Sequence, residues 1–187
     1  PEGTRVARGR GLLNFLELST EEKVLSLVPT NKSVKSEGSS EKYLVIITKN
    51  GRIKKTSLDE FDNVRKSGII AIKLDKGDLV KKVIKTSGQD DIIIATKNGV
   101  AIRFREKDIR PMGRSAAGVK GIRLKKGDEV IGMDVIISGN NQEETPNGSD
   151  SKTIGNPRQS REKKLKKYLL IVMENGYGKR TDVAQYK

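Results

Sequence analysis

Residues Ile92–Phe104 read IIIATKNGVAIRF, and this stretch decides the fold. Four apolar, mostly β-branched residues run into Thr96-Lys97, then Asn98-Gly99, then a second β-rich run over Val100–Arg105. Asn-Gly between two such runs is a strong hairpin signal, and a two-residue type I′ turn with positive φ at both positions is expected there. The unit recurs. Tyr43–Thr56 reads YLVIITKNGRIKKT and Tyr168–Thr181 reads YLLIVMENGYGKRT, so Asn50-Gly51, Asn98-Gly99 and Asn175-Gly176 mark three copies of one hairpin.

The likeness continues beyond the hairpins. Gly68–Val80 (GIIAIKLDKGDLV) matches Gly118–Val130 (GVKGIRLKKGDEV), and Leu16–Val24 (LELSTEEKV) looks like the same second half from a copy whose hairpin is missing. Gly51 to Gly99 is 48 residues, and Gly99 to Gly176 is 77, which is 29 more than one period. A period near 48 with four strand-like runs is the mark of propeller-like blades. The fold expected is all-β: a propeller-like β-pinwheel with four-stranded blades, partial, with about three blades present. Residues 1–30 read as the end of a preceding blade, 42–88 and 89–139 as two blades, and 168–187 as the start of the next. Strands are expected at 43–48, 52–57, 69–74 and 79–85, then at 91–96, 100–105, 119–124 and 129–137. Leu12–Leu18 and Val24–Val28 read as two further short strands. Gly77-Asp78 and Gly127-Asp128 mark equivalent turns.

Residues 140–167 account for the excess. They are rich in Asn, Gly, Ser, Pro and charge and nearly lack apolar residues, so they read as a disordered insertion that cannot bury enough surface to fold. Asn31–Glu41 reads as a flexible connector. The chain begins at Pro1 and stops at Lys187 inside a third repeat, which reads as a piece of something longer.

Composition narrows the function. Lys plus Arg number 38 against 24 Asp plus Glu, a net charge of +14, so a polyanionic partner is expected, with nucleic acid first. The chain has neither Cys nor His, which removes disulfides, thiol chemistry, the commonest metal ligand and the commonest general base. No apolar run approaches the roughly 20 residues of a membrane span. An anionic membrane is the second polyanion to weigh, and attachment to its surface is discounted because no amphipathic basic helix is visible. There is no P-loop and no G-x-G-x-x-G. The carboxylate pairs Asp59-Glu60, Asp90-Asp91 and Glu143-Glu144 are adjacent residues at turns and surface. Tyr43 and Tyr168 open equivalent strands, so they read as packing residues. No catalytic centre is visible.

One register stands out. Four residues past each hairpin glycine lie Lys55, Arg103 and Arg180, and one position earlier lie Lys54, Ile102 and Lys179. Alternation places Lys55, or Arg103 with Arg105, on one strand face. Repeated over successive blades, that face is expected to form a solvated basic stripe on a curved rim. The loop cations Arg65, Lys66, Arg110, Arg114 and Lys120 would add to it. Such a stripe suits phosphates, whose contacts position a duplex without reading its sequence. Only three Phe and four Tyr occur, which favours duplex over single-strand binding, where bases stack on aromatics.

The segments ARGRGLLNFLELSTEEKV, AIKLDKGD, RPMGRSAAGVKGIRLKKGDEV and ENGYGKRTDVAQY resemble the C-terminal DNA-wrapping domain of bacterial DNA gyrase A. The likeness covers nearly the whole chain apart from 31–41 and 138–167. It implies a six-bladed β-pinwheel whose blades exchange strands, with duplex DNA bent around its basic outer rim. It implies a part of a cytoplasmic type II topoisomerase that introduces negative supercoils. ATP would be bound by gyrase B in an A2B2 heterotetramer and magnesium would act at a cleavage centre elsewhere, so no cofactor is expected in this fragment. The cleavage tyrosine would lie in another domain. Alternatives are the C-terminal domain of the corresponding topoisomerase IV chain, whose repeats are more degenerate, and a protein-binding propeller with an acidic partner.

Overall fold

The computed structural model describes residues 22–28, 42–63, 67–137 and 167–186. The expected strand at Leu12–Leu18, the connector 31–41 and nearly all of the insertion lie outside them. The chain divides into one unit up to Ile137 and a second from Ser138, and each is described by itself.

In the first unit, β1 (Tyr43–Thr48) and β2 (Arg52–Ser57) form the first hairpin, and β3 (Val80–Thr86) returns beside β1. β4 (Asp91–Thr96) and β5 (Ala101–Arg105) form the second hairpin, with β7 (Val130–Ile136) beside β4. Both hairpins fall where the Asn-Gly signal puts them, but the turn differs from expectation. Gly51 N–H donates to Thr48 O at 3.0 Å and Gly99 N–H to Thr96 O at 3.0 Å. The central turn pairs are therefore Lys49-Asn50 and Lys97-Asn98. The glycine follows as a third loop residue with φ of 81° and 79°, the arrangement of a type I turn with a glycine bulge.

The third run of each repeat departs further. Only Val119–Lys120 (β6) forms a ladder, and it does so on the preceding repeat: Val119 lies opposite Ile53 and Lys120 opposite Arg52. The first sheet therefore has the order β3-β1-β2-β6 and the second β5-β4-β7. The expected strand at 69–74 is in no ladder among the described residues, and neither is Val24–Val28. A run of this kind becomes a strand only where the edge of another hairpin meets it. The crossing that brings β6 to β2 requires Gly118, with φ +84° and a position where a Cβ would lie 2.5 Å from Ile53 O. Further along, Met112 N–H donates to Lys55 O at 2.8 Å and Gly121 N–H to Gly51 O at 2.8 Å.

The two sheets stack face to face. Val45, Ile47 and Ile53 of the first meet Ile92, Ile94, Val130 and Met133 of the second, with Ile109 and Ile122 closing the cluster. Adjacent strand residues point to opposite faces, and here the reverse faces are buried too: Ile46 is 2% exposed and Ile93 3%. In the second unit, β8 (Tyr168–Val172) pairs with β9 (Gly178–Asp182) as a third hairpin, followed by a 3-10 turn at Val183–Gln185.

Candidate nucleic-acid interface

Stacking changes the meaning of the basic register. A strand inside a stack of sheets has no solvent face, because both faces look at other protein. Lys55 lies on the same face as Val45, Ile47 and Ile53, which packs on the second sheet. It is 4% exposed, and its Nζ donates to Glu106 O at 3.0 Å and stands 3.8 Å from Glu106 Oε1. Lys54 points the other way and is fully buried; its Nζ donates to Ala71 O at 2.6 Å and to Arg114 O. Burial pulls both ammonium groups below the ordinary lysine pKa, opposed at Lys54 by Glu60 and at Lys55 by Glu106. The expectation that Lys54 and Lys55 are solvated phosphate contacts is therefore corrected. They tie strands to crossing loops.

Arg103 occupies the Lys55 position in the second repeat, on the face turned away from the first sheet. Its Nε donates to Asp91 Oδ2 at 3.0 Å and its side chain is 29% exposed, so it is committed to its own hairpin. In the second unit Arg180 is exposed and stacks over the Tyr168 ring at 4.6 Å, and Lys179 beside it is exposed. Lys55 likewise sits over the Tyr43 ring at 5.0 Å. In all three hairpins the repeated cation thus engages the residue that opens the hairpin: Tyr43, Asp91 or Tyr168. The register is a diagonal cross-strand pair.

The exposed cations of the first unit lie on the edge strand and in loops. Lys120 is exposed on β6 opposite Arg52, whose Nε is held by Asp75 at 2.7 Å. Arg105 closes β5 and Arg110 follows the next 3-10 turn; both are exposed. Arg114 is half-buried, with Nε 3.8 Å from Glu60 Oε2. Arg65 and Lys66 lie outside the described residues. Lys107, Arg123, Lys125 and Lys126 are exposed in the same loops and escaped the sequence reading, although Arg123 and Lys126 share a basic register with the exposed Lys73 and Lys76 of the first repeat. Excess lysine in the loops was the available signal.

Two further roles were missed. Asp78 Oδ1 accepts from Asn50 N–H and Leu79 N–H, both at 2.9 Å, and Asp128 Oδ1 accepts from Asn98 N–H at 3.0 Å and Glu129 N–H at 2.9 Å. Each Gly-Asp turn thus clamps the hairpin turn of its own repeat. At Asp128 burial raises the carboxyl pKa, but the bonds from Thr96, Asn98 and Glu129 outweigh it and leave the pKa below the ordinary value. Glu129 is held low chiefly by Lys49, whose Nζ is 2.9 Å away.

Comparison with known proteins places these features in a family. A family model described as "DNA gyrase C-terminal domain, beta-propeller" matches residues 42–87, 90–137 and 167–187. DNA gyrase A of Staphylococcus epidermidis (strain ATCC 12228 / FDA PCI 1200) is 38% identical over all 187 residues, which cover 18% of that protein. DNA gyrase A of Haloquadratum walsbyi is 37% identical, again over the whole chain and 19% of the relative. The chain therefore spans under a fifth of the length of these relatives. Among solved structures, the C-terminal domain of DNA topoisomerase IV superposes with a TM-score of 0.72 at 23% identity, over 96% of this chain and 46% of that one. That likeness concerns the fold alone. The C-terminal domain of DNA gyrase A gives 0.68 at 26% identity, over 96% of this chain and 49% of that one.

Proposed function

Because the chain belongs to the DNA gyrase C-terminal domain, beta-propeller family, we propose that it is a non-catalytic module that binds and bends duplex DNA for a type II topoisomerase. The observation that carries this reading is the placement of exposed cations on a chain of net charge +14: Arg105, Arg110 and Lys120 sit at strand ends, loops and a sheet edge, outside the stacked faces. Cations spaced along the perimeter of stacked sheets follow a phosphate backbone without reading bases. Wrapping around such a perimeter would present a segment of the same DNA for passage and so give supercoiling its direction. On this reading the complete cytoplasmic enzyme joins gyrase A to gyrase B as A2B2 and introduces negative supercoils. ATP is then used by gyrase B, and magnesium at the cleavage centre, both outside this chain.

A domain of topoisomerase IV is the second reading, since that domain shares the fold and the fold does not separate the two. The full-chain identity of 38% to a DNA gyrase A favours gyrase. The test of the module itself is a gel shift with unrelated duplexes at two salt concentrations. Binding of every duplex, falling steeply with salt, is expected. Absence of binding at low salt would overturn it in favour of a protein-binding propeller.

A further inference from the structure

The buried carboxylate of Glu106 has no part in DNA contact. Glu106 is 0% exposed, opens the 3-10 turn after β5, and reaches from the second repeat into the first. Three groups of the first repeat receive it: the Thr86 hydroxyl donates to Oε1 at 2.6 Å, Gly88 N–H donates to Oε2 at 2.9 Å, and Lys55 Nζ lies 3.8 Å from Oε1. The Tyr43 ring lies under the ammonium and so close to Gly88 that a Cβ there would meet it at 2.7 Å. The first repeat therefore carries a socket built for a carboxylate, and the second repeat carries the plug.

The repeat register shows that neither part is general. The position of Glu106 is held by Leu58 in the first repeat and Val183 in the third, each the first residue of its 3-10 turn. The socket positions Tyr43, Lys55 and Thr86 become Asp91, Arg103 and Ile136 in the second repeat. There the cation is already met by a carboxylate of its own hairpin, since Arg103 Nε bonds Asp91. A socket that lacks its own carboxylate is matched by a glutamate plug. A socket that supplies one is followed in sequence by a repeat whose plug is valine.

We propose that the Lys55–Glu106 pair selects the second repeat, rather than another copy of the hairpin, as the one that closes on the first, and that the Arg103–Asp91 pair bars Glu106 from the second socket. A Val183 plug placed in the first socket would leave the Lys55 ammonium buried without a counter-charge. Glu106 placed against the second socket would bring its carboxylate beside Asp91. Both errors are costly: an unpaired buried charge outweighs most packing gains, and like charges repel. Without such a device, three hairpins of nearly one sequence would compete for the same faces, within one chain or between two copies.

The test is a double-mutant cycle on the 187-residue chain, combining Lys55→Met and Glu106→Leu, followed by urea unfolding and by size-exclusion chromatography after refolding. Each single replacement is expected to lower the folding equilibrium constant by about a hundredfold or more, and the double by no more than about tenfold. The double variant, apolar on both sides, is expected to refold with an associated fraction at least about threefold above that of the native chain. A second cycle with Glu106→Gln keeps an oxygen for Gly88 N–H and turns an amide N–H to the Thr86 hydroxyl, which can accept it, and decides the matter if the leucine variant does not fold. Coupling under about threefold in the cycle that folds overturns the pairing. A double variant that refolds as homogeneously as the native chain overturns the selection.

Discussion

Gly68 and Gly118 occupy the same place in two repeats and have nearly the same backbone, φ +75° and +84°, yet alanine should affect them very differently. In both, an L-residue forced into the left-handed region costs about 1–2 kcal/mol. At Gly68 that is the whole effect, because a Cβ would meet nothing within 4 Å among the described residues. At Gly118 the Cβ would lie 2.5 Å from Ile53 O, 3.0 Å from Ile53 C and 3.1 Å from the Lys54 Cβ. Two of these are backbone atoms of a central strand, so the crossing segment must lift away. Lifting it weakens the β2–β6 pairing at Arg52–Lys120 and Ile53–Val119 and the Gly121 N–H bond to Gly51 O. Two or three backbone bonds at about 1 kcal/mol each bring the total for Gly118→Ala to about 3–5 kcal/mol. Urea unfolding followed by far-ultraviolet circular dichroism suits a chain with no Trp. Equal destabilisation by the two alanines, within about 0.5 kcal/mol, would refute the claim that strand exchange onto β2 sets the need for Gly118.

Replacing Arg105, Arg110 and Lys120 together by Ala should flatten the slope of log K against log salt for duplex binding by up to about three units, and equally for unrelated sequences. Lys55→Met, by contrast, should leave that slope unchanged in whatever fraction stays folded; a flatter slope there would return Lys55 to the interface. Burial holds the Lys54 ammonium below its ordinary value of 10.5, so between the lowered value and 10.5 the unfolded chain binds more protons and stability rises with pH. The stability of the native chain relative to Lys54→Met should therefore grow through that alkaline window in urea titrations, and a flat or falling difference would contradict the burial. Asp78→Ala should cost about 1–2 kcal/mol by removing the acceptor of two backbone N–H groups, with Asp78→Asn milder because Oδ1 is kept; equal losses in thermal melts would count against the clamp.

The β-rich runs and the Asn-Gly dipeptides sufficed to place the hairpins. β1, β2 and β4 fall on their expected residues, since hairpin pairing is local and its signals sit within about a dozen residues. The repeat period and the family resemblance were legible for the same reason: identical local solutions leave identical strings. What each strand face looks at was not legible. A basic residue on alternating strand positions reads as solvated if the sheet has one wet face. Only the stacking of the second sheet makes Lys55 an interior group, and only the crossing loops that carry Ala71 and Arg114 cover Lys54. The same limit applies to the third run of each repeat. Val119–Lys120 is a strand because β2 of the preceding repeat offers it an edge, whereas Ile69–Leu74, matched in sequence, is not one in the described structure. Glu106 makes the contrast sharpest. Its letter in the chain reads as a surface charge, and its burial follows from three partners 18 to 51 residues away, brought together only when one repeat closes on another.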